Sequence, residues 1–265
     1  MTYFVVPVAA QEIRENDPQL RNIDIVERPG DSIPMDVVLF NDDGKQTTIG
    51  EYFDGEKPVI LIMAYYSCPM LCNLVLNGVA DGGKQLDWIP GDQYRIMTVS
   101  IDPTEGFSLA RAKKENYITS MGMPAAAEGW TFFTGDSTES RRLADAVGFK
   151  YYYDEEKEQY AHAACIFVLT PDGKISRYLY GIEFKPRDLK LALLEASEGR
   201  IGNTFDRILL YCYHYDPAAG GYVVLATNIM KLGGVVTLVI LGGLLGLFWL
   251  REWRKRKLRQ GESTA

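Results

Sequence analysis

Hydrophobic positions along this chain fall in short runs divided by polar turns. Val59-Ile60-Leu61-Ile62-Met63-Ala64 is unbroken and apolar, which predicts a strand over Val59–Tyr65 buried on both faces. Val37–Asn41 and Gln46–Ile49 flank the turn Asp42-Asp43-Gly44-Lys45 and predict a hairpin. Further on, the pattern predicts a helix over Pro69–Leu86, a strand over Tyr94–Ile101, and a helix over Phe107–Met121 with its charges on one face. A short strand at Trp130–Thr134 and a helix from Asp136-Ser137 to Val147 follow. Ala164–Leu169 and Ile175–Tyr180, around Pro171-Asp172-Gly173-Lys174, read as a second hairpin, and Arg187–Glu198 as a closing helix. This alternation is an α/β pattern. Two cysteines, Cys68 and Cys72, stand where the first central strand gives way to a helix, which suggests the thioredoxin architecture over residues 33–200 with an N-terminal hairpin extension. Arg14–Pro34 is polar and broken by prolines, so residues 1–32 read as an extended lead-in.

The pattern changes at the C-terminus. Leu232–Leu250 carries no charged residue. At about 1.5 Å per residue such a run crosses a hydrocarbon core of roughly 30 Å. It predicts one transmembrane helix over 231–251, with 201–230 as a juxtamembrane segment. Trp249 and Trp253 sit where interfacial aromatics belong, and Arg254-Lys255-Arg256-Lys257 opens a basic tail over 252–265. The positive-inside rule puts that tail in the cytoplasm and the body on the other side of the cell inner membrane, in the periplasm. Val8-Ala9-Ala10 resembles a small-residue cleavage site, so residues 1–10 read as the remnant of an export signal. The charge agrees. Overall it is −7, but the tail from Arg251 onward contributes +4, which leaves the body at −11 and argues against a nucleic-acid partner.

Four cysteines are too few for a disulfide-built scaffold, and His162 and His214 are the sole histidines. Pro69 favours the first helical position, so Cys68 is expected near the helix N-cap, where free N–H groups and the helix dipole stabilise a thiolate. Cys72 follows at i+4 on the same side. Three residues between the cysteines, not two, suit a pair reaching one soft ion; the pair can also close a disulfide. His162, in a loop before the strand that starts at Ala164, is the expected third ligand, and Cys165 reads as core. Cys212 and His214 form a Cys-x-His pair that offers either a secondary metal site or a packed thiol beside a tyrosine-rich belt. The pattern P-x-x-x-[ST]-x-x-C of peroxiredoxins is absent, because Leu61 and Tyr65 occupy its proline and hydroxyl positions.

Together, Cys68-Pro69-Met70-Leu71-Cys72, Val99-Ser100-Ile101-Asp102-Pro103 and His162-Ala163-Ala164-Cys165-Ile166 through Gly173 resemble the Sco/SenC family of copper-binding assembly proteins. The resemblance implies a thioredoxin-like fold and copper, Cu(I) or Cu(II), bound by Cys68, Cys72 and His162. It implies delivery to the dinuclear copper centre of cytochrome c oxidase subunit II or a related acceptor. That role is metal delivery rather than enzyme turnover. The alternative is a thiol-disulfide oxidoreductase in which Cys68 and Cys72 are the catalytic, disulfide-forming pair. Asp102 matches the family's Asp-Pro element and either supports the site or caps a turn. The later aspartate of the usual D-P-x-x-D-T-P form is missing, with Glu105 one residue too early. The family's usual anchor is N-terminal, whereas the span expected here is C-terminal.

Overall fold

The structure, a computed structural model, describes residue 23 and residues 25–198, 213–216, 221–224 and 226–262. It divides into two units, Met1–Gly202 and Asn203–Ala265.

In the first unit the buried run forms β3 (Val59–Ala64), every residue of it buried, within a seven-stranded sheet whose order is β2 (Gln46–Thr48), β1 (Val38–Asn41), β5 (Trp130–Thr134), β4 (Arg95–Ser100), β3, β8 (Cys165–Leu169) and β9 (Ile175–Tyr180). β3, β4 (Arg95–Ser100) and β5 (Trp130–Thr134) run parallel. Parallel neighbours need crossovers, and helices supply them. α1 (Leu71–Lys84) links β3 to β4, and α2 (Phe107–Met121) links β4 to β5. Gly122, at φ +65, ends α2 in a left-handed conformation that glycine adopts without a Cβ clash. α3 (Ser137–Ala146) is capped by the Asp136 carboxylate, which accepts from the Thr138 and Glu139 amides. β8 (Cys165–Leu169) extends the sheet antiparallel to β3, β9 (Ile175–Tyr180) pairs antiparallel with β8 at the edge, and α4 (Pro186–Ala196) closes the unit.

This is the α/β class and thioredoxin-like core that the pattern predicts. The hairpin β1 (Val38–Asn41) and β2 (Gln46–Thr48) is no separate appendage: β1 pairs antiparallel with β5 and joins the central sheet. The lead-in is partly docked as well. The Val26 amide donates to the Gly148 carbonyl and the Ile33 amide to the Gly173 carbonyl. Residues 1–22, with the expected signal remnant, lie outside the described residues.

A further hairpin in this unit went unforeseen. Tyr151–Asp154 (β6) and Gln159–His162 (β7) form a two-stranded hairpin of their own. His162 is therefore the last residue of a strand, paired with Tyr151, and not part of a loop. α1 approaches the loop after β9 closely. A Cβ on Gly78 would lie 2.1 Å from the Ile182 carbonyl oxygen, so only glycine permits this packing.

In the second unit, β10 (Tyr213–Asp216) and β11 (Gly221–Val224) form a hairpin, and α5 runs over Ala226–Glu262. The uncharged run 232–250 lies within α5. Among the described residues, however, no helix is long and apolar enough to cross a membrane, so the expected span at 231–251 does not emerge from the fold. Several side chains of α5, including Leu232, Leu247 and Leu250, are outside the described set.

Candidate metal centre

The two cysteines follow β3 directly. α1 begins at Leu71 with Met70 as its N-cap, two residues later than Pro69 predicts. The reason is local hydrogen bonding. In a helix starting at Pro69, the Cys72 amide would bond to the Cys68 carbonyl. Instead, that carbonyl accepts from the Asn73 side-chain amide at 2.7 Å, and the Cys72 N–H turns to the Cys68 sulfur at 3.4 Å. Cys68 thus caps the first turn with its sulfur. Asn73 is held in turn by Lys113, whose Nζ donates to Asn73 Oδ1 at 3.0 Å.

From ninety residues away, β7 brings the imidazole of His162 to this turn, with Nε2 2.9 Å from Cys72 Sγ. His162 Nδ1 lies 2.9 Å from the Ala163 carbonyl. A carbonyl only accepts, so Nδ1 carries the hydrogen and Nε2 faces the sulfur. Cys68, Cys72 and His162 are all buried. Aromatic rings wall the imidazole, with Phe149 at 5.6 Å and Tyr65 at 6.3 Å between centroids. Tyr160 packs edge-on against Tyr65, Tyr151 and Tyr153. The tyrosines of the hairpin therefore frame the site.

Cys68 and Cys72 are free thiols; the disulfide expected between them is not formed in this structure. They share one proton unequally. The hydrogen bond from Cys72 pulls the Cys68 pKa down to about 3 against the opposing effect of burial, helped by contact with the His162 ring and by the Cys72 amide. The same bond, together with burial, pushes Cys72 far above an ordinary thiol. Cys68 is the thiolate and Cys72 the thiol over the physiological range. The sign of the pH dependence follows. Alkylation of Cys68 in the reduced protein, tracked by mass spectrometry, should hold a constant rate from about pH 8 down to about pH 4, where an ordinary thiol slows roughly tenfold per unit. Only below that, as the thiolate takes up its proton, should the rate fall.

Among the described residues, no three His, Cys, Asp or Glu side chains are already spread around a common metal position. The 2.9 Å contact accounts for this, because Cys72 Sγ and His162 Nε2 stand against each other with no room for an ion between them. Bonds of about 2.0 Å to nitrogen and 2.3 Å to sulfur, opened to about 120°, separate such donors by roughly 3.7 Å. Parting the pair by less than one ångström makes room for an ion between Cys72 and His162, with Cys68 in the same turn.

The other candidates fall elsewhere. Asp102 caps a turn, accepting from the amide and hydroxyl of Thr104 at 2.9 and 2.7 Å. Cys165 is buried at the start of β8 and its thiol is raised by burial, in keeping with a core residue. Cys212 lies outside the described residues. His214 is in β10 opposite Val223, and its side chain is outside the described set. The residue that sequence reading undervalued is Glu105. Its buried carboxylate accepts from the Tyr66 amide at 2.8 Å, the Ser67 amide and hydroxyl at 2.7 Å each, and the Ser100 hydroxyl at 2.6 Å. It ties down the loop that ends in Cys68.

With this geometry in view, comparison with known proteins decides the family. The profile described as SCO1/SenC matches residues 27–190, well over half of the chain. The chain belongs to the SCO1/SenC family. A curated relative of this family member, the SCO1 protein homolog of Bacillus subtilis, is 27% identical over 152 residues, covering 56% of this chain and 74% of the relative. Among solved structures, a putative electron transfer protein from Aquifex aeolicus VF5 superposes with a TM-score of 0.57 at 22% identity, covering 64% of this chain and 94% of that one. BsSco, described as a member of the Sco family of cytochrome c oxidase assembly proteins with a disulfide switch, superposes at 0.52 and 21% identity, covering 65% of this chain and 98% of that one. These likenesses show that the SCO1/SenC chain has the family's fold.

Proposed function

We propose that this protein binds copper through Cys68, Cys72 and His162 and delivers it to an apo acceptor, the dinuclear copper centre of cytochrome c oxidase subunit II or a related site. The observation that carries the reading is the 2.9 Å approach of His162 Nε2 to Cys72 Sγ, across ninety residues of chain, beside a second cysteine held as thiolate. Two soft sulfurs and one imidazole are a donor set for Cu(I) that also accommodates Cu(II). Three ligands leave a coordination position unfilled for an acceptor's ligand. Family membership and the assembly role given for BsSco support the choice of acceptor.

On this reading the binding domain works in the periplasm, held at the cell inner membrane by the 231–251 segment with the 252–265 tail in the cytoplasm. The uncharged run Leu232–Leu250 and the Arg254–Lys257 cluster that follows it support that placement.

A specific observation also favours the second reading, a thiol-disulfide oxidoreductase that reduces acceptor cysteines before metallation. A Cys68 thiolate beside a protonated Cys72 is the pairing of an attacking and a resolving thiol. Anaerobic copper titration of the full chain separates the two. Delivery predicts one equivalent bound by the reduced protein and none by the oxidised protein, because a disulfide cannot ligate as two thiolates. Absence of binding in both states, with disulfide reductase activity intact, would establish the second reading.

A further inference from the structure

Cys68, Cys72 and His162 are 5%, 1% and 7% exposed, so an ion held by all three is shut away from solvent. An acceptor's ligand must still reach it. One side chain in the same turn stands outside this closed set. Met70 lies midway between the two cysteines and is 68% exposed, more than any other large hydrophobic side chain in residues 25–198. It is the N-cap of α1, so its backbone is fixed to the turn that bears both sulfurs; its carbonyl accepts from the Leu74 amide at 3.1 Å. Its chain is long and unbranched and ends in a thioether. Thioether sulfur is a soft, neutral ligand that suits Cu(I) and is indifferent to protonation. Leu74 and Ile182, also partly exposed, offer no donor atom.

We propose that Met70 is a transient copper ligand, the surface contact through which Cu(I) enters and leaves the buried site. This inference rests on the copper reading of Cys68, Cys72 and His162. The step is ligand exchange without electron transfer. The Met70 sulfur adds to the three-coordinate ion as the bond to one of its buried ligands breaks. The ion then sits at the surface, and the incoming ligand displaces the thioether. Copper stays Cu(I) throughout, and the freed buried donor either keeps its lone pair or takes a proton from water. Met70 thus sets the rate of exchange and adds little to the equilibrium affinity, since the resting site already has three donors.

The test uses the full chain loaded with one equivalent of Cu(I) under anaerobic conditions, with bicinchoninate as acceptor and its coloured Cu(I) complex as the readout. Met70→Leu keeps the size and apolarity of the side chain and removes only the sulfur. The expected result is transfer slowed roughly tenfold with Cu(I) affinity changed less than about threefold. Met70→Ser, which loses both sulfur and apolar surface, should be no slower than Met70→Leu, and Met70→Cys, which restores a soft donor, should recover the rate. Transfer by Met70→Leu at the parent rate would overturn the proposal. So would a parent-like Met70→Leu beside a slow Met70→Ser, which would make the residue an apolar contact. Failure of the parent protein itself to bind Cu(I) would instead overturn the copper reading beneath it, so the two failures are told apart in one series.

Discussion

Replacing His162 by alanine should lower copper affinity by well over tenfold while leaving the fold and the thiol chemistry intact. The imidazole supplies one of three donors, and the other two sit within a single turn of chain. Losing it leaves a two-coordinate dithiolate site open on the side where β7 packs. The fold should tolerate the change, because the hairpin is held independently of the ring. β6 and β7 keep their ladder from Tyr151↔His162 to Asp154↔Gln159, and Tyr160 stays packed against Tyr65. Far-UV circular dichroism and thermal unfolding should show little change. The rate of disulfide exchange by the dithiol should persist, since the hydrogen bond from Cys72 is the leading cause of the Cys68 thiolate and survives the substitution. Equal copper affinity in His162→Ala would refute the ligand assignment. A joint loss of copper binding and thiol reactivity would show that the ring organises the pair instead of completing it.

Where local pattern and tertiary structure agreed, the sequence was legible. β3 was readable because a fully buried strand needs no alternation, and Phe107–Met121 because glycine on both sides marks its ends. The meeting of His162 with Cys72 was legible for two reasons: histidine is rare in this chain, and the residues just before β8 face the end of β3, although His162 itself closes strand β7 and is not in a loop. The hairpin β6–β7 was not. Tyr151-Tyr152-Tyr153 shows no polar alternation, and Asp154-Glu155-Glu156-Lys157-Glu158 reads as a solvated loop although Asp154 ends β6 and the rest is the turn to β7. The start of α1 was missed because Pro69 is permitted at a helix start but does not compel one. The Asn73 side chain, in the first turn of α1, takes the carbonyl that would have extended the helix backward. The C-terminal hairpin β10–β11 lay hidden in the segment 201–230, where tyrosines suggested an interfacial belt instead of a strand pair.

Glu105 is the instructive case, since spacing alone argued against it. The usual D-P-x-x-D-T-P form puts an aspartate one residue later than the glutamate found here. Glutamate is one methylene longer, and in the structure its carboxylate reaches the loop that precedes Cys68. It holds that loop through hydrogen bonds from the Tyr66 and Ser67 amides and the Ser67 and Ser100 hydroxyls. Motif matching by position cannot see that, whereas a count of hydrogen bonds can.

Truncating Glu105 to alanine should consequently be among the most damaging single changes to the site. It strips the acceptor from the Tyr66 and Ser67 amides and from two serine hydroxyls. Tyr66 is about as buried as a residue can be, its hydroxyl spent on the Phe133 and Thr98 carbonyls, so it cannot swing out to find water. A buried donor left without a partner costs roughly 1–3 kcal/mol, and two amides are at stake, which suggests a loss of about 3 kcal/mol once some water enters. For a domain of this size that is a fall of roughly 6–12 °C in Tm. Glu105→Gln tests whether the charge or the shape matters. It keeps the length but turns one oxygen into an NH2 that must face other N–H donors, so it should recover only part of the stability. The effect on copper should exceed the effect on stability, because Ser67 is the immediate neighbour of Cys68. With the loop slack, the two sulfurs no longer hold a fixed separation, and copper affinity measured well below the melting temperature should drop more than tenfold. A Glu105→Ala protein that melts early yet binds copper as tightly as its parent would show that the loop is shaped by α1 and Asn73 alone.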